Sequence, residues 1–204
     1  MKKLISSIVI MALAVTSIFQ ATSAAFEETV TVAGSSFTIG TSSGGGGGGG
    51  GGTGTNTALK FFVDLEGSAV DSNMSDTING PVFDNIDSQW TDQMLVKMHN
   101  KGANAMNLIS KANYVSDPDT LRDDIFVEVL AWNDANNNGV LDAGEEGQSY
   151  GHDSILRWRN DTFPLGQIAA AETRGFVLRF DGSGVTDANF GMEAVYDFVF
   201  TGVE

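Results

Sequence analysis

The fold of this chain is decided by Asp124-Ile125-Phe126-Val127-Glu128-Val129-Leu130-Ala131-Trp132, a run rich in β-branched and aromatic residues. Such residues favour a β-strand because their side chains fit a pleated, half-buried surface. Other strand patterns lie on both sides, at residues 59–65, 90–99, 107–115, 173–180 and 192–200. They are short and separated by Asn, Asp and Gly turns, and no stretch has helical periodicity beyond about two turns. The sequence therefore predicts an all-β chain, an antiparallel β-sandwich with jelly-roll-like topology.

Alternation within three of these strands predicts which side chains face the core. The inward sets are Met94, Val96 and Met98; Phe176, Leu178 and Phe180; and Ala194, Tyr196, Phe198 and Phe200. Residues 71–87 are rich in Asp, Asn, Ser and Gly, so we interpret them as a long loop from which Val82-Phe83 reaches the core. Residues 119–124 are expected to form a helical turn.

The first 24 residues have the features of an export signal. Lys2-Lys3 is followed by the apolar run Leu4–Phe19 and by the small residues Ala21–Ala25. Cleavage after Ala24 fits this pattern, and cleavage after Ala25 fits nearly as well. The apolar run is too short for a permanent membrane span. We therefore expect a secreted protein with no stable membrane insertion after cleavage.

Residues 25–41 form a short β-like segment that is separated from the other strand patterns. Its apolar residues are Phe26, Val30, Val32, Phe37 and Ile39. Nine consecutive glycines follow within residues 42–57, and glycine loses the most conformational entropy on ordering. A flexible chain of ~15 residues has an end-to-end distance of ~20 Å. The pattern predicts a detachable N-terminal strand on a flexible linker; the alternative is a slippage-prone glycine repeat in a tolerant loop.

The composition of the chain limits its partners. The 204 residues include 11 basic and 26 acidic ones, a net charge of −15. Removal of residues 1–24 takes away two lysines and no acids, so 9 basic and 26 acidic residues remain, a net charge of −17. Such a surface disfavours nucleic acids and anionic lipids and favours solubility and cations. The absence of cysteine excludes disulfides, which fits a bacterial or archaeal surface better than a eukaryotic disulfide scaffold.

The arrangement resembles the TasA/camelysin family of exported matrix-fibre proteins. The residues that carry the resemblance are Ala25-Phe26-Glu27-Glu28, Phe37-Thr38-Ile39-Gly40-Thr41, the segment 96–102 with its Asn-x-Gly ending, and the closing strand 196–200. The resemblance covers most of the chain. The glycine tract departs from the family pattern, as does Asp87-Ser88, where a Pro-Gly is usual before the middle strand.

The resemblance implies an extracellular structural subunit at the cell surface or in a biofilm matrix. Its N-terminal strand would add to a sheet of the next subunit by donor-strand complementation, which gives a head-to-tail homopolymer. An accessory anchoring or initiating protein is a further partner that the sequence leaves open. The alternative is a monomeric, secreted, calcium-dependent binding or adhesion module whose N-terminal strand pairs within its own sheet.

One motif carries site chemistry, the twelve residues from Asp134 to Glu145. They match the calcium-loop template, in which oxygen ligands at fixed spacing surround one ion and a glycine, here Gly139, makes the sharp turn. The expected ligands are Asp134, Asn136, Asn138, the Val140 carbonyl, Asp142 and Glu145. Two of these side chains are neutral amides, so we expect a structural Ca²⁺ of weak affinity, ~10⁻⁴ to 10⁻³ M. The alternative is an Asn- and Gly-rich turn without metal.

No enzyme signature stands out, and we expect a non-catalytic protein. His99 and His152 are the only histidines, and no His-Glu-x-x-His motif is present. The run His152-Asp153-Ser154 cannot assemble a triad on one strand, because adjacent side chains point to opposite faces. The three tryptophans, Trp90, Trp132 and Trp158, are expected to pack in the core rather than form a carbohydrate platform. Strand alternation would place Arg157 and Arg159 on one face, available to an acidic neighbouring subunit.

Overall fold

The computed structural model describes residues 26–40 and 57–204. The predicted signal peptide 1–24, Ala25, Thr41 and residues 42–56 of the predicted linker lie outside the described residues. The described chain forms an all-β sandwich of two six-stranded sheets, which confirms the predicted fold class. Among the described residues, no helix has both the length and the apolar character needed to cross a membrane.

The described part of the chain contains twelve strands. They are β1 (Glu27–Thr38), β2 (Leu59–Phe62), β3 (Met74–Ser75), β4 (Thr77–Asn79), β5 (Val82–Phe83), β6 (Thr91–Asn100), β7 (Met106–Ser116), β8 (Phe126–Trp132), β9 (Glu146–Ser154), β10 (Phe163–Ile168), β11 (Thr173–Asp181) and β12 (Glu193–Val203). The first sheet has the order β10-β7-β12-β1-β4, with β5 also paired to β1. The second sheet has the order β3-β2-β6-β11-β8-β9.

Within residues 26–40 and 57–204, helical structure is limited to short pieces. The helix α1 (Ile155–Asn160) begins after Ser154, whose Oγ accepts the Arg157 N–H at 3.5 Å. Because these residues are helical, the expected strand alternation of Arg157 and Arg159 is wrong. Single 3₁₀ turns occupy Asp71–Asn73, Leu121–Asp123 and Asp187–Asn189, and the second of them confirms the helical turn expected at 119–124.

The main core lies between the two sheets. It contains Val96, Met98 and all of the predicted inward residues of the strands at 173–180 and 192–200, while Met94 packs against it half-buried. Phe83 is buried, as predicted, but Val82 is 58% exposed, and the 71–87 region contains three short strands within the expected loop. A fully buried Phe of this kind stabilises the fold by roughly 1.5–3 kcal/mol relative to exposure. A second, smaller cluster of Leu130, Trp132 and Val177 lies on the outer face of the second sheet.

The strand β1 runs between the two ends of the sandwich. At its beginning, the carbonyl of Phe26 accepts the Glu204 N–H at 3.1 Å, and the Glu28 carboxylate accepts the Ala58 N–H at 3.1 Å. At its end, the Gly40 carbonyl accepts the Asn85 N–H at 3.1 Å. We call the end with Phe26, Ala58 and Glu204 the upper pole, and the end with Gly40, Asn85 and Phe190 the lower pole.

Candidate functional site

The N-terminal segment occupies a central position in the first sheet. One edge of β1 pairs antiparallel with β12, from Glu27 opposite Val203 to Thr38 opposite Glu193. The other edge pairs parallel with β4, where Thr31 lies opposite Thr77, and with β5. Both edges of β1 are therefore hydrogen-bonded to residues that come after the glycine tract.

Four of the five predicted assembly residues lie in the core. Val30, Val32 and Phe37 are fully buried and Ile39 is 3% exposed, whereas Phe26 is 66% exposed at the upper pole. The inward positions change from even to odd numbers because a β-bulge interrupts the pairing between Val32 and Ser35. This bulge contains Gly34, which adopts φ = 71° and donates its N–H to Asp197 Oδ1 at 2.8 Å.

Phe37 holds the lower half of β1 in an aromatic cluster. Its ring centroid lies 5.3 Å from that of Phe83, 5.4 Å from that of Phe180 and 5.6 Å from that of Tyr196. The ring of Trp90 completes the cluster in an edge-on contact at 6.5 Å. These contacts cross from one sheet to the other, so withdrawal of β1 would open the core at this level.

Gly40 follows the end of β1 and lies beside the Phe190 ring. Its φ of +87° lies in the left-handed region, and a Cβ at this position would be 2.6 Å from the Phe190 ring. The backbone beside it is also fixed, because the Ile39 carbonyl accepts the Gly191 N–H at 2.8 Å. The left-handed backbone conformation favours glycine at the fourth position of the Phe-x-x-Gly-Thr element, and a Cβ there would also displace the exposed Phe190 ring.

The calcium-type loop lies over the outer face of the second sheet, between β8 and β9. Asp134 is the first predicted ligand, and its side chain is only 2% exposed. It accepts the Asn138 N–H at 3.0 Å and the Gly139 N–H at 2.9 Å. Burial raises the pKa of Asp134, but the hydrogen bonds from Lys97, Gly139 and Asn138 outweigh burial and leave the pKa below its usual value.

A buried ammonium group stands beside this loop. Lys97 Nζ lies 2.6 Å from Asp134 Oδ2, and it also donates to the Leu65 carbonyl at 2.6 Å and to Asn137 Oδ1 at 3.1 Å. The same Nζ is 5.2 Å from the centroid of the Trp132 ring. An internal cation therefore pairs with a buried carboxylate of the loop, and the sequence motif itself does not predict this partner.

The other predicted ligands are engaged within the loop. Asn136 and Asn138 donate their amide N–H groups to Asp142 Oδ2 at 2.8 and 2.9 Å. Glu145 accepts the Ala135 N–H at 3.0 Å, the Asp142 N–H at 3.0 Å and the Trp132 indole N–H at 3.2 Å. Val140, whose carbonyl is the remaining predicted ligand, is 54% exposed.

This donor set fits a hard cation in kind, because carboxylates and amide oxygens are the ligands that Ca²⁺ prefers. In the present arrangement, Glu145 Oε2 accepts two N–H groups and Oε1 accepts one, so bidentate ligation of an ion would require Glu145 to give up at least one of these donors. Within residues 26–40 and 57–204, no three His, Cys, Asp or Glu side chains are placed to hold one metal ion together.

The weaker candidates of the sequence do not come together. His99 contacts Thr173 at 2.9 Å at the start of β11, whereas His152 pairs with Asp181 at 2.7 Å at its end. His152 lies in β9 and Ser154 caps α1, so no His-Asp-Ser triad forms. The three tryptophans pack in or against the two apolar clusters, as expected: Trp158 and Trp132 are buried and Trp90 is half-buried.

The basic residues around α1 pair within their own chain. Arg157 lies 3.3 Å from Asp161 and 3.7 Å from Asp153, one turn away on either side. The Arg159 guanidinium stacks over the Tyr114 ring at 4.2 Å. These internal contacts weaken the expectation that the pair binds an acidic neighbour.

Comparisons of the chain with protein-family models, with curated proteins and with solved structures found no match. The fold and the site therefore define a class by their own geometry: an all-β sandwich whose N-terminal strand fills a central sheet position.

Proposed function

We propose that this protein is an exported structural subunit that polymerises into extracellular fibres or a biofilm matrix by exchange of β1 between copies. The observation that carries the proposal is the central place of β1, which precedes a tract of nine glycines. All the strands that β1 pairs with come after that tract. The β1 of a second copy can therefore make the same contacts, which is the condition for donor-strand exchange.

The distance between the poles favours exchange. β1 has 12 residues, so the chain that leaves at Gly40 must return over about 40 Å to reach Thr57 near Glu28. A flexible glycine-rich chain of 16 residues has a typical end-to-end distance of only about 22 Å. Closing β1 back into its own domain therefore costs entropy, on the order of 2 kcal/mol for an ideal chain. If β1 instead enters a neighbouring domain whose lower pole meets this upper pole, residues 41–56 do not have to span the length of β1.

The affinity of the exchanged strand would come from two sources. Main-chain hydrogen bonds along both edges of β1 supply the first, and the buried side chains Val30, Val32, Phe37 and Ile39 supply the second. The contact joins different surfaces of successive subunits and does not close on itself, so it generates filaments. In this proposal, the protein has a structural role rather than a catalytic one.

The loop 134–145 is proposed as a weak structural calcium site within this subunit. Asp134, Asn136, Asn138, the Val140 carbonyl, Asp142 and Glu145 would hold the ion. When bound, calcium would crosslink the loop that covers Trp132 and Val177. The hydrogen bonds already made by Glu145 are consistent with low affinity.

Capping by a free strand tests the exchange. The mature chain from Ala25 is expected to form filaments in negative-stain electron microscopy, and a molar excess of a peptide spanning Phe26–Gly40 should shorten or abolish them. The matched control is the same peptide with Val30→Asp and Val32→Asp, which cannot bury its inward side chains. Filaments of unchanged length with the native peptide would count against exchange.

The second candidate is a monomeric, calcium-dependent binding module. The pairing of β1 within its own sandwich is the observation that favours it, although a subunit before exchange would have the same contacts. Sedimentation with and without calcium separates the two, because only the fibre subunit should grow in mass as its concentration rises.

A further inference from the structure

Two large aromatic side chains are exposed in the described part of the chain, and they mark opposite poles. Phe26 is 66% exposed at the upper pole, and Phe190 is 74% exposed at the lower pole. Phe26 does not hang free, because its carbonyl accepts the Glu204 N–H at the end of the β1–β12 ladder. Its ring is therefore presented from a fixed backbone position.

The lower pole has a cavity beside Phe190. It has a volume of about 150 Å³. Its apolar walls are Ile39, Ile86, Val185 and Phe190, and its rim is polar, formed by Asp87, Ser88, Thr186 and Asp187. An apolar cavity of roughly this volume is large enough for a benzene ring.

We propose that Phe26 at the upper pole of one domain inserts its ring into the lower-pole cavity of the next domain along the filament. The inference rests on the head-to-tail assembly proposed above and names a contact surface for it. The occupant is a second copy of this chain, because the ring and the cavity are presented at opposite ends of the same strand.

The path of the chain brings these two poles together. In an exchanged filament, Gly40 of the donated strand lies at the lower pole of the acceptor domain, and Thr57 of the same chain lies at the upper pole of its own domain. The 16 intervening residues join these two points. The lower pole of each acceptor domain therefore faces the upper pole of the domain whose chain donated the strand. The sheet of that donor domain is filled by the β1 of a third copy, and the Phe26 of this third copy is exposed at the upper pole.

A patch that fits a cavity elsewhere on the same molecule makes a contact that does not close, which agrees with fibre growth. The contact would also explain why an aromatic side chain stands in water at the start of a strand whose other apolar side chains are buried.

Cysteine trapping tests the contact, since the natural chain has no cysteine. The double variant Phe26→Cys/Ser88→Cys places one thiol at the upper pole and one at the exposed rim of the cavity. Oxidation of assembled material should give a ladder of covalent oligomers on a non-reducing gel. The control Phe26→Cys/Ser149→Cys, with its second thiol on the exposed strand β9, should give none. Equal ladders from both variants, or none from the first while filaments are present, would overturn the contact.

Substitution of the ring gives a second readout. Phe26→Ala should raise the concentration needed for half-maximal pelleting of filaments by about tenfold, as expected for the loss of an aromatic anchor. Val63→Ala, which alters a side chain of 63% exposure away from the two poles, should leave it unchanged. If Phe26→Ala assembles like the wild type, the pole contact is wrong but strand exchange stands. If the wild type forms no filaments, both proposals fail.

Discussion

Lys97 Nζ lies 2.6 Å from Asp134 Oδ2, and both side chains are almost fully buried, at 6% and 2% exposure. The pair joins the middle of β6 to the first residue of the loop that covers the outer face of the second sheet. Two more acceptors, the Leu65 carbonyl and Asn137 Oδ1, complete the three donors of the ammonium group. The loop is therefore fastened to the sheet by an internal cation.

Breaking this pair should destabilise the domain strongly. Lys97→Met and Asp134→Asn should each lower the free energy of unfolding by about 3–5 kcal/mol, because each leaves a buried group without its partner. The double variant should recover a large part of the loss, and urea denaturation measures the coupling. Lys101→Met is the control, since its partner Asp71 is 86% exposed. Losses that simply add would show that the two groups do not act as a pair.

Acid should weaken the fold through two depressed carboxyl groups. Burial raises the pKa of Asp181, but hydrogen bonds from Ser183 and His152 bring it below the usual value, and Asp134 is also depressed. A depressed folded-state pKa contributes stability that is present above the unfolded value of about 3.8 and is lost as pH falls through the folded pKa. Urea midpoints should therefore drop below about pH 4. Asp181→Asn should reduce the dependence of the urea midpoint on pH in this range. An unchanged pH dependence would contradict the contribution of Asp181.

Gly40→Ala should destabilise the lower end of β1. An alanine in the left-handed region costs about 1–2 kcal/mol, and its Cβ would also press on the Phe190 ring. The double variant Gly40→Ala/Phe190→Ala should recover only the part of the lost stability that is due to contact with the ring. Comparison of the melting temperatures of the single and double variants separates this part from the backbone cost. A fully restored melting temperature would mean that the backbone conformation at Gly40 carries no cost.

Calcium should raise the melting temperature modestly. With a dissociation constant of ~10⁻³ M, 10 mM Ca²⁺ adds about 1.4 kcal/mol to the free energy of unfolding. Differential scanning calorimetry in calcium, in magnesium and in chelator measures the effect, and Asp142→Asn should reduce it. Identical melting temperatures in calcium and chelator would favour the metal-free turn, already held by Lys97.

The sequence predicts the central strands of this sandwich well but not its edges. The strand 126–132 is recognisable from its β-branched and aromatic residues, which are buried on both faces, whereas β9 is a mostly exposed edge strand whose polar residues show no period. The sequence does not predict helix α1, because six residues are too few to show a helical period. Its signal was the cap residue Ser154.

The candidate site also contains features that the sequence predicts and features that it does not. The buried residues Val30 and Phe37 could be predicted from their apolar character, but the bulge at Gly34 that brings both inward is set by pairing with β12. Neither Lys97 beside Asp134 nor the cavity beside Phe190 has a local signal, because each joins residues far apart in the chain.

The most direct test of strand exchange is a disulfide between β1 and β12. Thr29 lies opposite Thr201, and their Oγ1 atoms are 3.5 Å apart, in a chain without cysteine. In the variant Thr29→Cys/Thr201→Cys, oxidised after assembly, strand exchange predicts a ladder of covalently linked subunits on a non-reducing gel. A single monomeric band with an intramolecular disulfide, obtained from visible filaments, would show that each β1 stays in its own domain and would contradict the exchange.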